Sequence, residues 1–461
     1  MAAAATPDRP NIILCMGDDH GWNETGYNGH PHLKTPVLDE MASGGLRLDR
    51  FYSAHPNCSP TRGSIMTGRH PNRYGTFAPG WSIRPEEITI AQLLSKAGYA
   101  CGHFGKWHLG PVKADSPTNP GAMGFHEWLS HDNFFEVDPI LSRNGGPVQK
   151  HPGESSEIVV REALAFIAKA KRQGKPSFTV LWFGSPHEPY FGIEPYLSMY
   201  KDLADPIRSR LAEISAMDNA IGQLREGLKK ASLRDNTLLW YCGDNGVPPE
   251  GRLTTPYRGA KGQVYEGGVR IPGIIEWPAH LKARATKFNA VTSDMLPTLC
   301  DITGVPLPKR PLDGISLKPL LDGKMKERPS PIFFWEFQTR LESQGKLAPY
   351  IAAELQEGTT PTAKLMAGKY TRSFRNFKHP EIVASDSDGP AAMLANRYKL
   401  VVDGARRAAA AGGSRELFDL DADRGETKNL ASAEAAKAAA MERQLRAWQQ
   451  SVLKSLTGAD Y

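Results

Sequence analysis

Two pairs of oxygen-bearing side chains, one isolated cysteine and a few basic residues carry most of the chemical potential of this 461-residue chain. The run Cys58-Ser59-Pro60-Thr61-Arg62 stands in a polar, proline-containing stretch. Ser59 suits a helix N-cap and Pro60 a first helical position, which puts Cys58 just ahead of a predicted helix N-terminus. Backbone N–H groups and the helix dipole favour anions there, and Arg62 adds a permanently charged, planar fork of donors. Asp18-Asp19 and Asp244-Asn245 offer hard oxygen ligands, a set suited to Ca²⁺ or Mg²⁺ rather than zinc. Either pair could serve only as a turn, since Asn245-Gly246 is a strong turn former. Two adjacent carboxylates after an apolar strand nevertheless repel unless a cation is present. Lys106 and His108 are two residues apart. On an extended segment both face the same way, with Trp107 turned into the core.

The remaining composition narrows the class. The five cysteines are few, odd in number and widely spaced, with no CxxC pair to suggest zinc or redox chemistry. Cys15, Cys101 and Cys242 lie in apolar runs, where a free thiol behaves as a small hydrophobe. Hydrophobic content of 40% and charged content of 23% are ordinary for a globular protein. The net charge of +6, from 56 basic and 50 acidic residues, is too mild and scattered to imply nucleic acid. It is compatible with an anionic substrate. No apolar run is long enough to span a membrane, and the start Met1-Ala2-Ala3-Ala4-Ala5-Thr6 lacks the features of an intact signal peptide. The only two N-x-Ser/Thr triplets, at Asn23 and Asn57, fall inside the site motifs, so a glycosylated surface is not expected.

The elements that must position these groups read as an α/β sheet. Strand patterns at 11–16, 100–104, 177–183, 237–242 and 273–277 alternate with helical patterns at 90–97, 157–171 and 206–230. Thr89 is the expected N-cap of the first helix and Gly98 its stop. Asp18 and Asp19 follow the first strand, Lys106 and His108 the second, His187 the third, Asp244 and Asn245 the fourth. Ligands of open α/β sheets bind beyond the carboxyl ends of strands, so one sheet edge would gather them all. Beyond residue 325, short antiparallel strands at 331–337, 397–402 and 416–419 precede an Ala-rich helix at about 433–456. This suggests a larger α/β domain over 1–325, which carries these groups, and a smaller one over 326–461. The polar stretch 338–396 has no clear period, and so long a connection is usually disordered or functional.

Further motifs complete the reading. Cys-x-Pro-x-Arg runs on to Met66-Thr67-Gly68-Arg69. Around it stand Pro10-Asn11-Ile12-Ile13, Gly105-Lys106-Trp107-His108-Leu109-Gly110, Pro186-His187-Glu188-Pro189 and Lys261-Gly262 with Glu266-Gly267-Gly268-Val269-Arg270. The tail carries Glu416-Leu417-Phe418-Asp419-Leu420 and Glu426-Thr427-Lys428-Asn429-Leu430. Over nearly its whole length the chain resembles the type I, formylglycine-dependent sulfatases, arylsulfatase-like enzymes of the alkaline phosphatase superfamily. The resemblance implies a large, mostly parallel mixed sheet flanked by helices, with a smaller C-terminal antiparallel sheet plus helix.

It also implies roles. Cys58 is oxidised by a formylglycine-generating or sulfatase-maturating enzyme to an aldehyde, whose hydrate attacks sulfur. Calcium (magnesium is possible) is held by Asp18, Asp19, Asp244, Asn245 and the modified Cys58. Arg62 and Lys106 stabilise the sulfate, and His108 assists collapse of the hydrate. His187 contacts the leaving oxygen and Lys261 binds sulfate; either could be the general acid. Arg258 and Arg270 read as solvated or structural, with Arg258 able to reach substrate. A sulfated carbohydrate is the implied substrate, and a periplasmic or secreted compartment the implied location. Specificity elements are expected in 72–84, 130–151 and 338–396. His131, Asp132 and Asn133 lie where related enzymes contact sulfate. The rival readings are a phosphomonoesterase or phosphonate hydrolase of the same superfamily, and a non-catalytic protein that binds sulfated glycans.

Overall fold

The computed structural model describes residues 9–337, 347–362, 373–404 and 414–461. Its central element is the apolar strand β1 (Asn11–Gly17), whose Ile12 to Met16 run is buried on both faces, as strands inside a covered parallel sheet are. The chain continues through β2 (Leu46–Tyr52), β3 (Ala100–Lys106), β4 (Glu127–His131), β5 (Ile140–Arg143), β6 (Val148–Lys150) and β7 (Ser177–Trp182). Then come β8 (Thr237–Gly243), β9 (Arg270–Ile271), β10 (Gly273–Glu276) and β11 (Arg284–Val291). Among the described residues these form one 11-stranded sheet in the order β11-β2-β10-β8-β1-β7-β3-β4-β5-β6, with β9 paired to β2. The five strands β8, β1, β7, β3 and β4 run parallel side by side, and β10 is antiparallel to β8 and β2.

Register is what brings the strand ends level. Gly17 pairs with Gly243, Met16 with Trp182, and Gly105 also with Trp182. The residues just past β1, β3, β7 and β8 therefore emerge along one edge. Gly105 enforces the fit: its φ is +108°, and a Cβ there would lie 1.8 Å from the Trp182 carbonyl oxygen.

Helices cover both faces. The helix Ile90–Lys96 opens with the expected Thr89 capping box and is followed by Gly98 at φ +89°. It packs on one face with Met295–Thr303, while Ser155–Arg172 and Ile207–Lys230 pack on the other. β2 and β11 escape a pattern search for a physical reason. β2 reads Leu-Arg-Leu-Asp-Arg-Phe-Tyr, and β11 is half exposed at the sheet edge.

A second, antiparallel sheet follows the order β12 (Ile332–Trp335), β13 (Ala391–Ala395), β14 (Tyr398–Val402), β15 (Arg415–Asp419). The helix Ala435–Leu456 covers it with Met441, Leu445, Trp448 and Val452. β13 is a correction: it lies within 338–396, which reads in sequence as a stretch without period. Its five residues Ala-Ala-Met-Leu-Ala are nearly all buried, so they show no alternation. Residues 338–346 and 363–372 of that stretch lie outside the described residues. No helix among the described residues is long and apolar enough to cross a membrane.

Candidate active site

The helix carrying Cys58 begins two residues earlier than the sequence suggests. Asn57, extended at φ −142° and ψ 156°, is the cap residue of Cys58–Thr67, and its carbonyl accepts from Thr61 N at 3.2 Å. Cys58 is thus in the first turn rather than ahead of it, and Ser59 is no N-cap. Pro60 is tolerated because first-turn N–H groups have no intrahelical acceptor. Every residue of the helix is buried, and Cys58 is only 1% exposed.

Arg62, on the same turn, is fixed from three sides. Its Nη2 donates to Asp244 Oδ2 at 2.8 Å and lies 3.4 Å from Asp18 Oδ1, while Nη1 donates to the Lys106 carbonyl at 3.1 Å. Its guanidinium lies over the Trp182 ring. Lys106 ends β3 and donates from Nζ to Asp18 Oδ2 at 2.6 Å. The segment after it is not extended as expected, because His108 takes a left-handed φ of +55°. Trp107 does enter the core, tied by its indole N–H to the Thr118 carbonyl at 2.8 Å. His108 is buried beside the Phe374 ring, which belongs to the 338–396 stretch.

Asp19 gathers the other half of the site. Its N–H donates to Asp244 Oδ1 at 2.9 Å and its Oδ1 accepts from Asn245 Nδ2 at 3.0 Å. Its Oδ2 accepts from Lys261 Nζ at 2.6 Å and stands 3.5 Å from His187 Nε2. His187 and Lys261 are themselves 3.5 Å apart. The His187 ring stacks on Phe134 at 4.0 Å and 14°. Phe134 and Phe374 went unnoticed in the sequence, because single aromatics in aperiodic loops carry no signal. Nine of the ten residues singled out as ligands or catalytic groups — Asp18, Asp19, Cys58, Arg62, Lys106, His187, Asp244, Asn245, Lys261 — thus meet at one sheet edge, and the tenth, His108, flanks them.

The donor set fits a hard cation. Ligand atoms of Asp18, Asp19, Cys58 and His187 all lie within 4.8 Å of one another. Asp244 and Asn245 are fully buried beside them, and the Asn245 Oδ1 accepts no hydrogen bond among the described residues. A buried carbonyl oxygen without a donor is costly unless a cation or water meets it. Against the pull of burial, Lys106, His187 and Arg62 hold the Asp18 carboxyl well below its ordinary range. Burial, then the Asp18 charge, pushes Asp244 up to about 7. Burial likewise raises the Cys58 thiol despite Lys106 and Lys261, which makes the unmodified side chain a poor thiolate. Burial lowers His187 to about 4, whereas Asp19 keeps Lys261 charged.

The neighbouring candidates resolve differently. His131 Nε2 contacts the Pro361 carbonyl at 2.8 Å, and Asp132 accepts from Val112 N at 2.7 Å and Thr360 N at 2.8 Å. Both therefore pin the 347–362 segment against the wall of the site. Asn133 is buried, with no partner for its amide among the described residues. Arg258, partly exposed, pairs with Glu416 at 2.8 Å, and buried Arg270 is structural, paired with Glu266 at 3.1 Å. Glu266 in turn receives Lys399 of β14 at 3.0 Å, and Lys399 also meets Glu426 at 3.1 Å.

A family model described as Sulfatase matches residues 10–305. Human arylsulfatase A is 34% identical over 374 residues, 72% of each chain. Human N-acetylgalactosamine-6-sulfatase is 31% identical over 383 residues, covering 74% of this chain and 70% of its own. A solved structure of Ps i-CgsB in complex with k-i-k-neocarrahexaose superposes with a TM-score of 0.78 at 23% identity, over 96% of this chain and 93% of that one. The level strand ends, the second antiparallel sheet and these matches agree, and the chain belongs to the sulfatase family: it is a type I sulfatase of the alkaline phosphatase superfamily, a hydrolase of sulfuric esters.

Proposed function

We propose that the chain removes sulfate from a sulfated carbohydrate, using formylglycine made from Cys58 and a divalent cation, Ca²⁺ by preference over Mg²⁺. One observation carries this reading. Three buried or half-buried cations, Arg62, Lys106 and Lys261, each reach a carboxylate of the same oxygen-rich cluster around Cys58. That is a charge pattern built for a tetrahedral anion on a metal. The names of the relatives, an N-acetylgalactosamine-6-sulfatase and a structure holding a neocarrahexaose, support a saccharide rather than a simple aryl ester. Phosphate or phosphonate esters fit the same geometry, but both sequence relatives are named for sulfate.

In place, the cation would neutralise sulfate oxygens and the modified Cys58 would supply a hydrated aldehyde as nucleophile. Asp18, Asp19, Asp244 and Asn245 hold the cation. Arg62, Lys106 and Lys261 stabilise charge that spreads over the sulfate as the ester bond breaks, the dominant electrostatic contribution in such sites. His187 and Lys261, 3.5 Å apart, form the pair that delivers a proton to the departing sugar oxygen. His108 takes up the proton when the site resets. Because Cys58 is 1% exposed in the folded chain, a formylglycine-generating or sulfatase-maturating enzyme would act before its helix docks. The working compartment is read as periplasmic or secreted.

The experiment is a panel of position-defined sulfated mono- and disaccharides with matched phosphate esters, followed by release of inorganic sulfate or phosphate. Sulfate release that stops with a chelator and in Cys58→Ala is expected. Faster phosphate than sulfate release, or full activity in Cys58→Ala, would overturn the reading.

A further inference from the structure

A cavity of about 490 Å³ opens directly off the site, within the roughly 300–1,000 Å³ range of small-ligand pockets. Two of its lining residues belong to the reacting end: Asn57 precedes Cys58, and Lys261 holds Asp19. The rest of the wall is polar, with Arg252, Gln263 and Glu336, relieved only by small or cyclic residues such as Pro249. Among the described residues no aromatic or long aliphatic side chain lines it. A hydroxyl-rich occupant fits such a wall, and an apolar leaving group does not.

Arg252 stands out in this wall. It is exposed, and it makes no ion pair among the described residues. Glu336 is buried and already engaged, so it does not neutralise Arg252 by default. The short turn Pro249–Thr254 that carries Arg252 is anchored, because Asn23 Nδ2 donates to Thr254 Oγ1 at 2.7 Å. Asn23 lies four residues beyond Asp19, so the anchor ties the turn to the metal-ligand loop. The result is a guanidinium on a fixed base, facing a polar cavity beside Cys58 and Lys261. Guanidinium groups match planar or tetrahedral oxyanions with two parallel donors.

We propose that this cavity receives the sugar that bears the scissile sulfate, and that Arg252 reads a second anionic group on that sugar or its neighbour. Arg252 is thus a specificity-determining residue: the preferred substrate is a doubly anionic saccharide, not a singly sulfated neutral one. The proposal rests on the sulfatase reading for the position of the scissile ester. The second anion is a carboxylate or a second sulfate, which present the same oxygens to the fork.

The test compares three disaccharides with the same scissile sulfate: one otherwise neutral, one with an added carboxylate, one with an added sulfate. Wild-type enzyme is expected to favour one or both of the doubly anionic substrates. Arg252→Ala should lower the ratio of doubly to singly anionic kcat/KM about tenfold, through KM rather than kcat, as loss of one charge-assisted contact does. Arg252→Lys should recover part of the ratio, and raised salt should erode the wild-type preference. The arm that shows the preference identifies the anion.

Binding of the same three sugars to the Ca²⁺-loaded Cys58→Ala chain, measured by calorimetry with and without Arg252→Ala, reads the cavity independently of turnover. An affinity for the doubly anionic sugar that depends on Arg252, together with no sulfate release by protein that carries formylglycine at position 58, would retain the subsite and sink the sulfatase reading. Sulfate release with ratios and affinities indifferent to Arg252 would sink the subsite alone.

Discussion

Arg62 and Lys106 show at the level of single residues why charge alone does not define this site. Arg62 spends its donors on Asp244 and on the Lys106 carbonyl. Lysine at position 62 could satisfy at most one of these, so Arg62→Lys should lower kcat/KM about 100-fold while leaving the chain folded. Circular dichroism and kinetics check both halves, and a loss under about threefold would mean that the fork does not matter. The metal gives a second prediction. Chelation should stop turnover and lower the melting temperature, because three buried carboxylates lose their counter-ion; added Ca²⁺ should restore both. A melting curve indifferent to chelator would remove the cation from Asp18, Asp19 and Asp244. These residues were legible in the sequence because each follows an apolar run, where a carboxylate has no packing reason to be. Phe134 and Phe374 were not, since their role comes only from which loop folds over His187 and His108.

At the scale of elements, the site depends on strand ends that are level and on a loop held from behind. The first condition was readable: β1, β3, β7 and β8 fall close to their expected ranges, because buried parallel strands are continuous apolar runs. The kink after Lys106 was not, since a left-handed His108 leaves no mark in residue type. The start of the Cys58 helix was also not readable: Ser59 and Asn57 are both of cap-favouring type, and Asn57 holds the position without a side-chain cap bond. The second condition involves Lys399 of β14, wholly buried between Glu266 and Glu426. Glu266 begins the short helix after the Lys261 loop, so this ion triad clasps the second sheet to the site. Lys399→Met should cost about 3–5 kcal/mol in urea unfolding, because buried Glu426 loses its cation and Glu266 keeps only Arg270. A cost below about 1 kcal/mol would show that the clasp is dispensable.

For the whole molecule, stability carries a pH signature set by buried histidines away from the metal ligands. Burial lowers His70 to about 3, and pushes His55 and His103 well below their ordinary value. The unfolded chain takes up protons near pH 6.5 that the folded chain refuses, so stability is fully present above that value and falls as pH drops. At pH 5 each such histidine should cost about 2 kcal/mol, and His70→Gln should flatten the slope between pH 7 and 5. An unchanged slope would mean that His70 is protonated when folded. The molecule as a whole then reads as a wide, helix-covered sheet whose edge carries the chemistry, with a second sheet clasped behind the Lys261 loop. All of this converges on Cys58, whose buried, raised thiol is unfit to act as it stands. Peptide mass spectrometry of fully active enzyme, covering residue 58, tests that directly. Formylglycine at position 58, in proportion to specific activity, is the expected result; an unmodified cysteine in fully active protein would contradict it.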